Sequence, residues 1–271
     1  MNVGTAFRKL LQSRRLEAAA LRTIDAFEAQ QVANILHIIA KTRYSPRDQS
    51  LVPQLDGRAE ALAGTFKAQD VANTLWAYAT MGREPGAGMM RALEGRAEAL
   101  AGSFIAQGVA NTLWAYATMG REPGTGLLRA LEGRAEAVAG TFKAQEVANT
   151  LWAYATMGRE PGAGLMRLLE GRAEALAGTF NAQGVAITVW AACVFCILFD
   201  RGQGWRWVHT LVQRLASLGE AASFNTVQLR QVHQFFVGCS VEPGLRMEAV
   251  NDMWALKETC REAFECAKSA P

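Results

Sequence analysis

The sequence predicts an all-α fold: a right-handed α-solenoid, or superhelix, of about six helix-turn-helix repeats with a 38-residue period. Internal repetition is the first observation behind it. Trp76, Trp114, Trp152 and Trp190 stand 38 residues apart, and so do Phe66, Phe104, Phe142 and Phe180. Residues 66–103 match 142–179 at 34 of 38 positions and 104–141 at 31, so these copies fold alike. The second observation is punctuation, since each copy reads as two helical stretches parted by loops rich in Gly and Pro. The third is physical. A pair of helices this short cannot bury an apolar face alone, whereas stacked pairs share a continuous core.

Along the chain, residues 1–50 hold a degenerate first repeat. Phe27-Glu28-Ala29-Gln30-Gln31-Val32-Ala33-Asn34 matches Phe66-Lys67-Ala68-Gln69-Asp70-Val71-Ala72-Asn73, 39 residues on, with Leu10 to Ile24 as the helix before it. The same start carries Arg8, Lys9, Arg14, Arg15 and Arg22 against Glu17, a pattern shared with organellar transit peptides. Residues 51–200 carry the near-identical copies. Their second helix, helix B, spans the equivalent of Ala68 to Met81 and stops at Gly82, with Pro85 three residues later. After Arg83-Glu84-Pro85-Gly86, the next helix A runs from Met89 to Gly102, with Met89, Met90, Leu93, Ala97 and Leu100 as its apolar stripe. Arg91, Glu94 and Glu98 fall opposite and read as a solvated convex face, and Gly95 costs about 1 kcal/mol against Ala. Residues 201–244 repeat the pair in degenerate form, as Trp207 to Leu218 and Phe224 to Val237. Residues 245–271 close the array with a capping helix over 245–268, its apolar positions including Met247, Val250, Met253, Trp254 and Leu256.

Composition bounds the function. The chain has 271 residues, 50% of them hydrophobic and 20% charged, which suits a packed core and not a disordered tail. A net charge of +3 excludes a polybasic nucleic-acid binder, so any anion-binding surface is local. Five cysteines, all from Cys193 onward, give no disulfide framework and point to a reducing compartment. Cys193-Val194-Phe195-Cys196 has metal-ligand spacing but no second pair, which favours burial over metal binding. Val185 to Phe199 is nearly all apolar, yet short of the roughly 20 residues that span a bilayer, and it occupies a helix B slot. With three histidines, and no P-loop, dinucleotide fingerprint or His/carboxylate metal motif, the chain reads as a non-enzyme without cofactor, metal, membrane or small-molecule partner.

The block Ala-Gln-x-Val-Ala-Asn-Thr-Leu-Trp-Ala-Tyr-Ala-Thr-Met-Gly, set in a 38-residue helix pair, resembles the octotricopeptide repeat. Residues 69–82, 107–120 and 145–158 carry the closest match within roughly 25–240, and the fourth copy departs from it, reading Ala-Ile-Thr-Val-Trp-Ala-Ala-Cys from Ala186. Gln228 to Phe236, with the helix ending Cys260-Arg261-Glu262-Ala263-Phe264, resembles the region that precedes a RAP domain, and no RAP domain follows before Pro271. The resemblance implies a soluble module in a mitochondrion or chloroplast, binding single-stranded RNA for processing, stabilisation, splicing or translation of organellar transcripts. Nuclease activity associated with the RAP domain is not implied.

Differences among the copies suggest where ligand contact lies. In helix B the frame is interrupted at Lys67, Ile105, Lys143 and Asn181, and three residues on at Asp70, Gly108, Glu146 and Gly184. On a helical wheel Lys67, Asp70, Thr74 and Ala77 share a sector, with Ala68, Ala72, Trp76 and Ala79 opposite as the packing side. A modular RNA reader keeps its scaffold and varies the side chains that address each base. The same pattern arises from drift at exposed sites, and Lys67/Asp70 and Lys143/Glu146 fit i,i+3 ion pairs. Against drift, Arg91, Glu94, Arg96 and Glu98 read as equally exposed yet recur in the copies. Asn73, Asn111 and Asn149, replaced by Ile187, suit either a base edge or a structural bond. Arg83, Arg121 and Arg159 suit phosphates or their neighbours Glu84, Glu122 and Glu160.

The sites expected to meet RNA are therefore Lys67, Asp70, Asn73, Ile105, Gly108, Asn111, Lys143, Glu146, Asn149, Asn181 and Gly184. Each central repeat sums to zero charge, so the expected binding is weak and salt-sensitive, at about one nucleotide per repeat. Neutral concave faces also suit protein partners, and a protein-interaction scaffold is the alternative.

Overall fold

Capping and turn residues decide where these helices start and stop. The computed structural model describes residues 14–199, 206–219, 224–241, 250 and 253–268. Among the described residues there are thirteen α-helices and no strand: α1 (Arg14–Thr23), α2 (Ala29–Thr42), α3 (Leu51–Leu62), α4 (Ala68–Thr80), α5 (Ala87–Ala99), α6 (Ala106–Thr118), α7 (Thr125–Ala137), α8 (Ala144–Thr156), α9 (Ala163–Leu176), α10 (Ala182–Phe199), α11 (Arg206–Gly219), α12 (Thr226–Val241) and α13 (Trp254–Lys268). Helix B ends where a glycine takes positive φ, at Gly82, Gly120 and Gly158 (64°, 68° and 66°). The next amide then bonds back, as Arg83 N–H does to the Tyr78 carbonyl at 3.1 Å. Helix A ends in a single 3₁₀ turn, such as Ala101–Ser103, before the buried phenylalanine that opens helix B.

Contacts divide the array into two compact units, Met1–Arg134 and Ala135–Pro271. In the first, helix B packs on helix B (α2 on α4, α4 on α6) and helix A on helix A (α1 on α3, α3 on α5). In the second, α8 packs on α10, α10 on α12, α12 on α13, and α9 on α11. This is the hairpin-on-hairpin stacking of an α-solenoid. Tyr78, Tyr116, Tyr154 and the four repeat phenylalanines are fully buried and fill the core between the layers.

Polar joints recur at each step between repeats. Arg58, Arg96 and Arg134 on helix A donate Nε–H to the carbonyls of Phe27, Phe66 and Phe104 of the preceding repeat, at 2.9, 2.8 and 2.6 Å. In the second unit Arg172 and Arg214 do the same to Phe142 and Phe180, at 2.7 and 3.1 Å. Glu94 accepts from the Tyr116 hydroxyl at 3.0 Å and from the Gly124 amide at 2.8 Å. The carboxylates of Glu98 and Glu136 lie against Gly126 and Gly164 in the next helix A, where any Cβ would collide with them. Arg96 and Glu94 are therefore half-buried parts of the joints, not a solvated convex face, and their repetition has a structural cause.

The chain's ends differ from expectation. The C-terminal helix begins at Trp254, with Met253 outside it, so no single helix spans 245–268. Met247 and the start of the first helix, Leu10 to Ser13, lie outside the described residues. So do Arg8 and Lys9. Helix α10 reaches 18 residues and is long and apolar enough to cross a membrane by length and composition. Here it lies among α8, α11 and α12, with Cys193 and Cys196 buried and in no disulfide, and with the Cys193 thiol turned to the Gln234 carbonyl at 3.9 Å.

Candidate functional site

The site lies on helix B, and burial decides which face it uses. At 100° per residue, α4 divides into four strips. Val71, Leu75 and Tyr78 are buried, on the strip turned to the core. Ala68, Ala72 and Ala79 form one buried flank of small residues, and Asp70, Thr74 and Ala77 form another. A helix stacked between α2 and α6 needs two such flanks, so Asp70, Thr74 and Ala77 do not open to a ligand, and of their sector Lys67 alone stays exposed, at the helix start. Thr74 and Ala77 are 0% exposed.

What remains open is a wedge about 60° wide: Gln69, Asn73, Trp76 and Thr80. The wedge recurs as Gln107, Asn111, Trp114 and Thr118 on α6, and as Gln145, Asn149, Trp152 and Thr156 on α8. The glutamines and threonines are exposed, and the asparagines and tryptophans half-buried. The Trp76 and Trp114 rings lie 6.4 Å apart, and His37 meets Trp76 at 4.8 Å, so the first unit carries a continuous aromatic row. Burial, and then Lys41, lower the pKa of His37, which keeps its ring neutral in that row at pH 7. In the second unit Gln145 Nε2–H donates to Asn149 Oδ1 at 2.9 Å, aligning two amides on one face. In α10 the asparagine is replaced by the buried Ile187, while Trp190 keeps its place.

The two variable positions are cap pairs. In α4, Asp70 turns back to accept the Lys67 backbone N–H at 3.0 Å, and in α8 Glu146 does so for Lys143 at 2.6 Å. In α10 the roles reverse, with Asn181 Oδ1 accepting the Gly184 N–H at 2.7 Å. In α12 Asn225 and Gln228 bond reciprocally, each at 3.0 Å. In α6 the pair is Ile105 and Gly108, which make no side-chain cap, and Ile105 is 61% exposed. Outside α6 these residues vary together because the two positions share one job: satisfying the amides at the start of the helix. Asp70, Gly108 and Gly184 are buried and Glu146 is half-buried, whereas Lys67, Ile105, Lys143 and Asn181 stay exposed at the helix start. Lys143 and Asn181 line a cleft of about 390 Å³ with Gln145, Arg172 and Phe180.

The loop arginines do not stand free. Arg121 pairs with Glu84 of the preceding repeat at 2.8 Å, in place of its sequence neighbour Glu122. Among the described residues no group of three His, Cys, Asp or Glu side chains gathers to hold a metal. Sequence reasoning missed the Gln, Trp and Thr members of the wedge. Their signal was present as polar residues repeated without change on a helix otherwise made of Ala, Val, Leu and Tyr.

Comparison with known proteins adds two findings. A family described as a protein of unknown function (DUF1601) matches residues 8–36, 63–75, 101–113 and 139–151. The last three segments each hold the 3₁₀ turn and the first half of a helix B, including Asn73, Asn111 and Asn149. A protein named "RAP domain-containing protein, chloroplastic" from Oryza sativa subsp. japonica is 38% identical over 71 residues, which is 26% of this chain and 11% of that protein. The chain thus spans about a tenth of the length of this relative.

Proposed function

We propose that this protein is a non-catalytic, single-stranded RNA-binding module whose contact surface is the amide-and-indole wedge of its B helices. The observation that carries the proposal is the recurrence, on α4, α6 and α8, of an exposed glutamine and a half-buried asparagine beside a half-buried tryptophan. Aromatic faces stack bases of any identity at about 1–3 kcal/mol each, and side-chain amides offer a donor and an acceptor to a base edge. One nucleotide then falls to each helix pair. The constant wedge supplies affinity. Sequence selectivity is assigned to the exposed cap residues Lys67, Ile105, Lys143 and Asn181, which flank it. The rice relative, named for a RAP domain and the chloroplast, supports an organellar role in processing, stability or translation of transcripts. No cofactor, metal or membrane enters this reading.

Neutrality of the wedge favours a second reading, in which the amides bind the backbone of an extended protein segment. A labelled random 12-nucleotide RNA pool, titrated by anisotropy at 50 and 200 mM salt, separates the two. The RNA reading predicts binding at 50 mM that weakens at 200 mM and is lost in N73A/N111A/N149A. No binding at 50 mM refutes it.

A further inference from the structure

The arginine joints carry more charge than their structural bond uses. Arg58, Arg96, Arg134, Arg172 and Arg214 each spend Nε–H on a phenylalanine carbonyl, and a guanidinium has four more N–H groups on its Nη atoms. Among the described residues none of the five has a carboxylate partner, and Arg214 alone uses an Nη, toward Ser217 Oγ at 3.4 Å. All five are half-buried, and the Nε bond holds each guanidinium in one orientation. Other carboxylates of the repeats are bonded elsewhere: Glu94 to Tyr116 and Gly124, Asp70 and Glu146 to their cap amides. Within a repeat that sums to zero charge, these carboxylates are held by neutral donors and the joint guanidinium keeps N–H groups for a ligand. In the second unit Arg172 opens into the 390 Å³ cleft beside Lys143, Gln145 and Asn181, and no carboxylate lines it. This cleft touches the wedge through Gln145, so a strand with its bases on the wedge lays its backbone along the cleft.

We infer that Arg58, Arg96, Arg134, Arg172 and Arg214 are phosphate-binding residues, one per repeat, for the backbone of the bound single strand. The inference rests on the proposed RNA binding and supplies the cation that each neutral-sum repeat lacks. The fork of N–H groups matches phosphate oxygens, and a guanidinium already fixed by one bond loses little freedom on binding.

The test is the salt dependence of binding to a labelled 12-nucleotide oligo(U), measured from 50 to 200 mM salt for the full chain and for R96Q/R134Q and R96K/R134K. Each phosphate contact contributes about 0.7 to the log–log slope for single strands. The slope should fall by about 1.4 in R96Q/R134Q and stay unchanged in R96K/R134K. Thermal melts of both variants monitor the joint with the phenylalanine carbonyls. A wild-type slope retained in R96Q/R134Q overturns the phosphate assignment alone, because the wild type still binds. A wild type that binds no RNA at 50 mM overturns the assignment together with the function on which it rests. If the glutamine variant fails to fold, the lysine variant decides: a lower slope despite retained charge overturns the assignment.

Discussion

Replacing Asp56 with glutamate should stabilise the protein, and the repeats themselves supply the reasoning. Asp56 occupies the place of Glu94, and of Glu17 one repeat earlier. Glu94 bonds Tyr116 and the Gly124 amide, and Glu17 accepts from the Asp48 amide at 3.1 Å. Asp56 is one methylene shorter. Its Oδ1 and the Tyr78 hydroxyl, the counterpart of Tyr116, are both buried without a partner. Burial raises the carboxyl pKa from 3.8 to about 6, against the opposing pull of Arg83. At about 1.36 kcal/mol per pH unit that displacement corresponds to at most about 3 kcal/mol, and partial solvation reduces it to roughly 1–2. A restored bond to a charged acceptor is worth a similar amount.

The sign follows from linkage. The folded protein takes up this proton at higher pH than the unfolded chain, so the penalty is absent below pH 3.8 and grows as pH rises through about 6. D56E should therefore gain about 1–2 kcal/mol at pH 7.5, a rise of a few degrees in Tm, and the gain should shrink toward pH 4. Urea melts of both proteins at pH 4, 6 and 7.5 measure it. A D56E protein no more stable at pH 7.5, or equally favoured at all three pH values, would refute the joint.

Other predictions follow from the same contacts. I105N should supply the missing cap of α6 on the pattern of Asn181 and Gly184, raising stability by about 1 kcal/mol in a urea melt. G126A should change stability by no more than about 0.5 kcal/mol in a urea melt, because its methyl meets only the carboxylate end of the exposed Glu98 side chain, which swings aside. W76A/W114A should weaken binding of the random RNA pool by at least tenfold while leaving the helical circular dichroism spectrum in place. Because the pKa of His37 is lowered by burial, its contribution destabilises the fold as pH falls below about 6.5, and H37F should remove that part of the acid sensitivity in a pH-dependent melt.

The period, the helix pairs and the core phenylalanines were legible because identical copies must fold identically. The open face was not. Trp76 is large and apolar, and the alanines beside it are small, so the wheel made that side look like the packing side. An internal solenoid helix has a neighbour on each side, however, and Asp70, Thr74 and Ala77 are the second packing flank. The variable sites were conspicuous, but variation at Asp70, Glu146 and Gly184 records exchangeable ways of capping a helix, and Gly108 marks a helix start without a side-chain cap. Repetition of Arg96 and Glu94 likewise records joints that a single helix cannot reveal, since their partners lie in adjacent repeats.

Ultraviolet cross-linking of the bound random RNA pool, followed by mass spectrometry of the adducts, tests the central claim directly. Adducts should concentrate on peptides covering residues 69–80, 107–118 and 145–156, with the wedge tryptophans as acceptors. Adducts confined to helices α3, α5, α7 and α9, or to residues 254–268, would contradict it.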